Sequence, residues 1–490
     1  MSTESAVAID ETAPPAAAPS FASRNGLVIN ILLVSAFVVI LNETVMSVAL
    51  PRLMASLDVS ASAAQWLTTA FLLTMAVVIP ITGFLLQRLH TRPVFLAAMT
   101  LFSLGTLLAA LAPGLPLLIA ARVVQASGTA IMMPLLMTTV MTLVPPESRG
   151  KTMGNISIVM SVAPAIGPTI SGIILNYLDW RWMFILVLPI ALAALVLGAR
   201  RMVNVTTPKA VPLDVLSVVL SAFAFGGIVY GLSNTGVPDA PIPGWIPLLV
   251  GIVAMAIFLT RQIVLQRHDG ALLDLRTFRS KNFSISIIMM AIAMMALFGT
   301  IVLLPIYLQN VLGLSTLQTG LMLLPGGLLM GLLGPQVGKL YDRFGPTVLL
   351  VPGMALVSAV IWAMTLLGPD TWFGYILAGH IVMSVGFAFL FTPLFTVSLS
   401  SVPPNLYSHG SAVLGSIQQV AGAAGVALFV ALMTARSTSL AASGVAPQAA
   451  LSSGITAAFL CGAVISLLAV VAAFFVRRAP ASGPGPAMGH

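Results

Sequence analysis

Residues 26–51, GLVINILLVSAFVVILNETVMSVALP, form an apolar run that carries Asn42, Glu43 and Thr44 toward its far end. About 20 predominantly apolar residues suffice to cross roughly 30 Å of hydrocarbon, so the stretch predicts a membrane-spanning helix. A charged side chain at the centre of such a helix costs roughly 2.5–3.5 kcal/mol on insertion scales. A carboxyl kept at that depth points to function, because ionisable groups inside spans face a bundle interior or a watery cavity and serve ions, protons or substrates.

The rest of the chain fits that first helix. Of 490 residues, 59% are hydrophobic and 7% charged, whereas about a quarter of the residues in soluble domains are charged. Fourteen runs are long and apolar enough to span, the first near 27–50 and the last near 452–476. The expected fold class is an all-α polytopic membrane protein. The single cysteine, Cys461, lies within an apolar run and has no internal partner, which excludes a disulfide framework and cysteine metal sites. No metal site is expected elsewhere. The net charge of +8 is a topology signal and does not call for a nucleic-acid partner. All but four of the 21 Lys and Arg sit in alternate loops or in the tails; Arg52, Arg181 and Arg436 lie in the opposite loops and Arg122 inside a span. Cytoplasmic loops carry the excess of Lys and Arg, so both termini are expected in the cytoplasm and the chain in the plasma (cell inner) membrane.

An internal repeat divides the chain. Leu57-Asp58-Val59-Ser60 recurs as Leu312-Gly313-Leu314-Ser315, and at the same offset Gly83-Phe84-Leu85-Leu86-Gln87-Arg88 recurs as Gly338-Lys339-Leu340-Tyr341-Asp342-Arg343. Parallel repeats of this kind place the substrate site near the midplane between halves. The expected organisation is a disordered cytoplasmic tail 1–25, a six-helix bundle 26–200, an inserted two-helix segment 201–270, a second six-helix bundle 271–478, and a disordered cytoplasmic tail 479–490. The amphipathic stretch 272–283 is expected on the cytoplasmic membrane surface.

Several motifs resemble the major facilitator superfamily, in its fourteen-span drug:proton antiporter branch, over nearly the whole chain outside the tails. Arg122, Gln125, Gly128 and Ala130 are similar to R-x-x-Q-G-x-G-x-A, with Ala126 at the first glycine. Ala163-Pro164-Ala165-Ile166-Gly167-Pro168 followed by Gly172 is similar to the antiporter signature G-x-x-x-G-P-x-x-G-G. Trp180-Arg181-Trp182-Met183-Phe184 and Leu304-Pro305-Ile306-Tyr307-Leu308-Gln309 also resemble fourteen-span members, and Leu41-Asn42-Glu43-Thr44 through Ala49-Leu50-Pro51 is most similar to lincomycin-type efflux proteins. The resemblance implies the major facilitator fold, with two six-helix bundles plus two inserted helices. It also implies a gate and antiporter role for Pro164, Gly167, Pro168, Gly172, Gly338, Asp342 and Arg343. Two departures stand out. Asn42 occupies a position where most relatives have Asp, and Gln87 and His90 replace the Asp and Gly of the first-half gating motif, which the second half keeps as Asp342 and Gly345.

At about 1.5 Å per residue, Glu43 and Arg122 lie at similar depths, roughly 8–11 Å below the outer boundary, so they are placed to meet. His380 lies at the same depth and precedes Gly386 as Arg122 precedes Gly128. Glu43, Arg122 and His380 are therefore the expected proton-coupling residues, with proton and cationic substrate competing for Glu43. The expected substrate contacts are Asn42, Glu43, Met46, Trp66, Met133, Tyr307, Phe387 and Gln418. Arg149-Gly150-Lys151-Thr152 is a false phosphate loop, because Pro145 stands where the leading glycine is required and no strand precedes it. No catalytic residues and no enzyme are expected, and no cofactor: the proton gradient, not ATP, is the expected driving force. The expected function is proton-coupled efflux, by alternating access, of hydrophobic drugs or antibiotics, cationic ones among them. The expected partners are that substrate, protons and membrane lipids, with a single chain as the functional unit. The same fold exporting an endogenous lipid or metabolite, or a non-transporting membrane sensor, are the alternatives.

Overall fold

The computed structural model describes residues 21–59, 61–209, 213–234 and 242–477. Fourteen helices among them are long and apolar enough to cross a membrane: α1 (Phe21–Leu57), α2 (Ala61–Arg88), α3 (Thr91–Ala110), α4 (Leu115–Leu143), α5 (Arg149–Tyr177), α6 (Trp182–Arg201), α7 (Val215–Ser233), α8 (Trp245–Leu265), α9 (Lys281–Asn310), α10 (Thr316–Phe344), α11 (Thr347–Met364), α12 (Phe373–Ser400), α13 (Tyr407–Ala442) and α14 (Pro447–Ala473). The chain is an all-α, multi-pass membrane protein. Helix α1 begins at Phe21, so residues 21–25 of the expected N-terminal tail are helical; the rest of that tail and the tail 479–490 lie outside the described residues.

Local chemistry sets the helix ends. Ser315 and Gln318 form a reciprocal capping box that starts α10, and Gly345, at φ 83°, ends it. Ser280 caps α9 by accepting from Phe283 N. Prolines inside α2, α4, α9, α10, α11 and α12 are tolerated because neighbouring helices can satisfy the freed backbone groups.

Helices α1–α6 pack on one another, as do α9–α14, and the two groups meet along two seams. Along the first seam, α5 lies directly on α10. A Cβ on Gly154 would overlap the Gly334 carbonyl, and one on Gly338 would overlap the carbonyl of Gly150, so the backbones touch. In lipid, where burying apolar surface brings no gain, close backbone contact through small residues supplies the attraction. Along the second seam, α2 meets α13.

Helices α7 and α8 pair through Gly227, Gly231 and Gly251, and α7 lies against both α2 and α13 beside their seam. Their ends at the face carrying the basic loops are pinned by a polar cluster. Asp214 caps α7 and receives Arg261 Nε at 2.7 Å and Nη2 at 2.8 Å. The Arg261 guanidinium pushes the Asp214 carboxyl down to about 2. Gln262, fully buried, donates to Ser217 Oγ at 2.8 Å and accepts from Leu272 N at 2.7 Å and Leu273 N at 3.2 Å.

Those last two bonds correct the expectation for 272–283. Ala271, Leu272, Leu273, Asp274 and Thr277 are buried inside the protein, and Asp274 caps the short turn Leu275–Arg279 by accepting from Arg276 N at 2.9 Å. On the apolar side of this stretch Ala271, Leu272 and Leu273 pack on protein, while Phe278 stays exposed.

Candidate functional site

On α1, Asn42 and Glu43 point in different directions, as neighbours about 100° apart on a helix must. Asn42 is buried and its Oδ1 accepts from Arg122 Nη1 at 3.2 Å. Gln125, one turn along α4, accepts from the same Nη1 at 2.5 Å, and its amide donates to Thr106 Oγ1 on α3 at 2.8 Å. The Arg122 guanidinium carbon sits 4.0 Å from the centre of the Phe71 ring on α2. Arg122 is 1% exposed and its buried Nε has no hydrogen-bond partner. A guanidinium over a ring face gains about 2 kcal/mol or more where water is excluded.

Glu43 is half-buried and within electrostatic reach of Arg122. It enters no ion pair among the described residues. The two residues placed to meet are thus neighbours without a direct bond, since Asn42 takes the arginine. Next to them, Thr44 Oγ1 donates to Leu41 O at 3.0 Å, and a Cβ on Gly167 of α5 would overlap that hydroxyl. Gly167 thereby lets α5 close onto α1 beside the carboxyl. Pro164 is half-buried in the same helix, Gly172 is exposed with open space around it, and the side chain of Pro168 lies outside what the structure describes.

His380 belongs to a separate contact. On α12 its Nε2 lies 3.1 Å from Leu323 O of α10, its ring fills the space beside Gly326, and its buried Nδ1 is unpartnered. The expected substrate contacts are scattered by comparison. Met46, Tyr307 and Phe387 are fully buried; Tyr307 donates to Gly368 O at 2.6 Å, and Phe387 stacks on Phe391. Trp66 lies 5.8 Å from the Tyr230 ring of α7. Met133 and Gln418 are half-buried on α4 and α13. Phe71, Gln125 and Thr106 complete the Arg122 site but were not among the expected site residues. Gln125 had a signal, three residues after a buried arginine; Phe71, one aromatic in an apolar helix, had none.

At the face carrying the basic loops, hydrogen bonds join the two groups of helices. The Asp342 carboxylate of α10 accepts from Gly150 N at 2.8 Å and Lys151 N at 2.9 Å, in the first turn of α5. A carboxylate there meets free N–H groups and the positive end of the helix dipole. Its repeat-related counterpart Gln87 makes only a 3.4 Å bond to Asn405 O. Two buried hydroxyl pairs, Thr138–Ser411 at 2.8 Å and Ser157–Thr392 at 2.6 Å, tie α4 to α13 and α5 to α12. Arg343 is exposed, over its own neighbour Phe344.

The family model described as Major Facilitator Superfamily matches residues 32–426. The chain is 37% identical over 460 residues to the lincomycin resistance protein LmrB of Bacillus subtilis, covering 91% of this chain and 95% of that one. It is 39% identical to the uncharacterized MFS-type transporter YcnB of the same organism, covering 93% and 96%. It is 30% identical to a multidrug resistance protein B homolog of Mycobacterium tuberculosis, covering 80% and 73%. Among solved structures, the fold is similar to the human organic anion transporter MFSD10, with TM-score 0.66, 15% identity and 92% and 99% of the chains covered. It is also similar to the proton:xylose symporter XylE, with TM-score 0.62, 15% identity and 92% and 95% covered. With its two helix groups, intramembrane carboxyl and sequence relatives, the chain belongs to the Major Facilitator Superfamily of membrane transporters.

Proposed function

We propose that this transporter exports hydrophobic drugs or antibiotics, cationic ones among them, in exchange for protons. The observation that carries the reading is Glu43: a half-buried carboxyl inside a span with no ion pair of its own, next to an arginine held by neutral partners. Such a carboxyl can take either a proton or a cationic substrate, and the competition couples the two flows. A proton gradient supplies about 1.4 kcal/mol per pH unit, and each charge moved across the membrane adds about 2.3 kcal/mol per 100 mV. Export then needs no ATP. The names of the LmrB relatives and the multidrug resistance homolog support the drug reading. The excess of Lys and Arg supports placing the basic loops in the cytoplasm of a cell membrane. On that placement the joined face is the cytoplasmic one. A single chain suffices, because both halves are present in it.

The test is proton release in detergent on adding lincomycin or hydrophobic cations, beside a toxicity panel in cells lacking their own pumps. Release in the wild type that is lost in Glu43→Gln, with protection against the same compounds, is expected. Release without protection against any compound would redirect the reading to an endogenous cargo, and no release at all would contradict coupling.

A further inference from the structure

We infer that Phe71 positions Arg122 for coupling: its ring face holds the guanidinium against α2 and keeps it from pairing with Glu43. The inference rests on the role proposed for Glu43 but concerns a residue to which that role assigns nothing.

Three helices hold the guanidinium, and each contributes a neutral group. Asn42 of α1 and Gln125 of α4 both accept from Nη1, while Phe71 of α2 covers the flat face at 4.0 Å. The two amide oxygens serve one nitrogen and leave Nε without a partner. The ring is thus the group that faces the delocalised charge as a whole, attracting a cation through its quadrupole without carrying a negative charge. Phe71 is itself 1% exposed and packed with Met75, Ile79, Ala126 and Ala130 at the α2–α4 contact, so its ring has little room to turn away.

The alternative partner is close. Glu43 is one residue from Asn42 and within electrostatic reach of the guanidinium. A carboxylate paired with Arg122 would favour its charged form and hold it against both proton and substrate. Holding the arginine on a ring leaves the carboxyl available. The other ionisable groups on helices packed against α1 sit at the helix ends: Arg88 on α2, Arg149, Lys151 and Tyr177 on α5, and Arg200 and Arg201 on α6. Arg52 lies beyond Glu43 toward the end of α1 itself. Among these groups Arg122 is therefore the charge within electrostatic reach of Glu43 inside the span.

The test is an infrared pH titration of the purified protein, with the Glu43 carboxyl band assigned by its loss in Glu43→Gln. In Phe71→Leu, which keeps an apolar side chain but removes the face, the arginine is freed to reach Glu43. The carboxylate form should then persist to about one pH unit lower than in the wild type, or further. Phe71→Tyr keeps the face and should titrate as the wild type. A phenylalanine fluorinated on the ring at position 71, which keeps the shape but weakens the face, should behave as Leu and guards against a folding defect in Phe71→Leu. Wild-type titration in both face-removing proteins, or equal shifts in the Leu and Tyr variants, would overturn the role of Phe71 and leave that of Glu43 standing. A Glu43 band that does not respond to pH in any of these proteins would overturn both.

Discussion

At the scale of single residues, position around the helix decides what depth alone does not. Counting residues puts Glu43 and Arg122 at one height, but a step of one residue turns the side chain by about 100°, and the arginine is bonded by Asn42 instead. The apolar run and the buried charges were legible in the sequence; which oxygen the guanidinium chose was not, because that depends on how α1 is rotated against α4. Phe71 was invisible for a related reason, since an aromatic facing lipid and one facing a guanidinium read alike. Gly167 gives a prediction at this scale. Gly167→Ala puts a methyl onto Thr44 Oγ1, and crowding of this kind typically costs 1–3 kcal/mol. Drug resistance in cells should fall severalfold in Gly167→Ala and recover in part when Thr44→Ala removes the hydroxyl. No recovery would mean that the contact with α1 is not what Gly167 serves.

At the scale of elements, the inserted pair α7–α8 is anchored by polar chemistry at one end. Gln262 satisfies the N–H groups of Leu272 and Leu273. Each buried N–H left unpaired costs about 1–3 kcal/mol, so Gln262→Leu should lower the melting temperature in detergent, with increased hydrogen exchange confined to 271–279. The Asp214–Arg261 pair gives a pH signature. Because the folded-state carboxyl is pushed down to about 2 from 3.8, the stabilisation is fully present above the unfolded value and is lost as pH falls through the folded one. The melting-temperature gap between wild type and Asp214→Asn should stay constant from neutral pH down to about 5 and close only between about 4 and 2. A gap that closes near pH 6 would place the stabilising titration elsewhere. The helix count and the extra pair were readable from hydropathy and the internal repeat. The burial of 271–277 was not, because an amphipathic pattern specifies an apolar face without saying whether lipid or protein covers it.

At the scale of the whole molecule, the ties between the two helix groups at the basic face include the Asp342 carboxylate on the first turn of α5, the Arg149 guanidinium 5.5 Å from the centre of the Tyr407 ring of α13, two hydroxyl pairs and a weak amide bond. The repeat makes Asp342 and Gln87 equivalent in position, but only the carboxylate can engage a helix N-terminus with its full charge. Asp342 is therefore expected to contribute more to closure than Gln87. In a Cys461→Ala background with Ser157→Cys as reporter, adding Asp342→Asn should speed maleimide labelling from the basic face severalfold, whereas Gln87→Ala should change it little. Equal effects would mean that the charge on Asp342 does not hold the face shut.

Coupling itself is tested most directly by internal pH in proteoliposomes on addition of lincomycin or hydrophobic cations, with wild type beside Glu43→Gln and His380→Ala. Drug-driven proton movement that persists in His380→Ala and disappears in Glu43→Gln is the predicted result. Undiminished proton movement in Glu43→Gln would contradict a coupling carboxyl on α1.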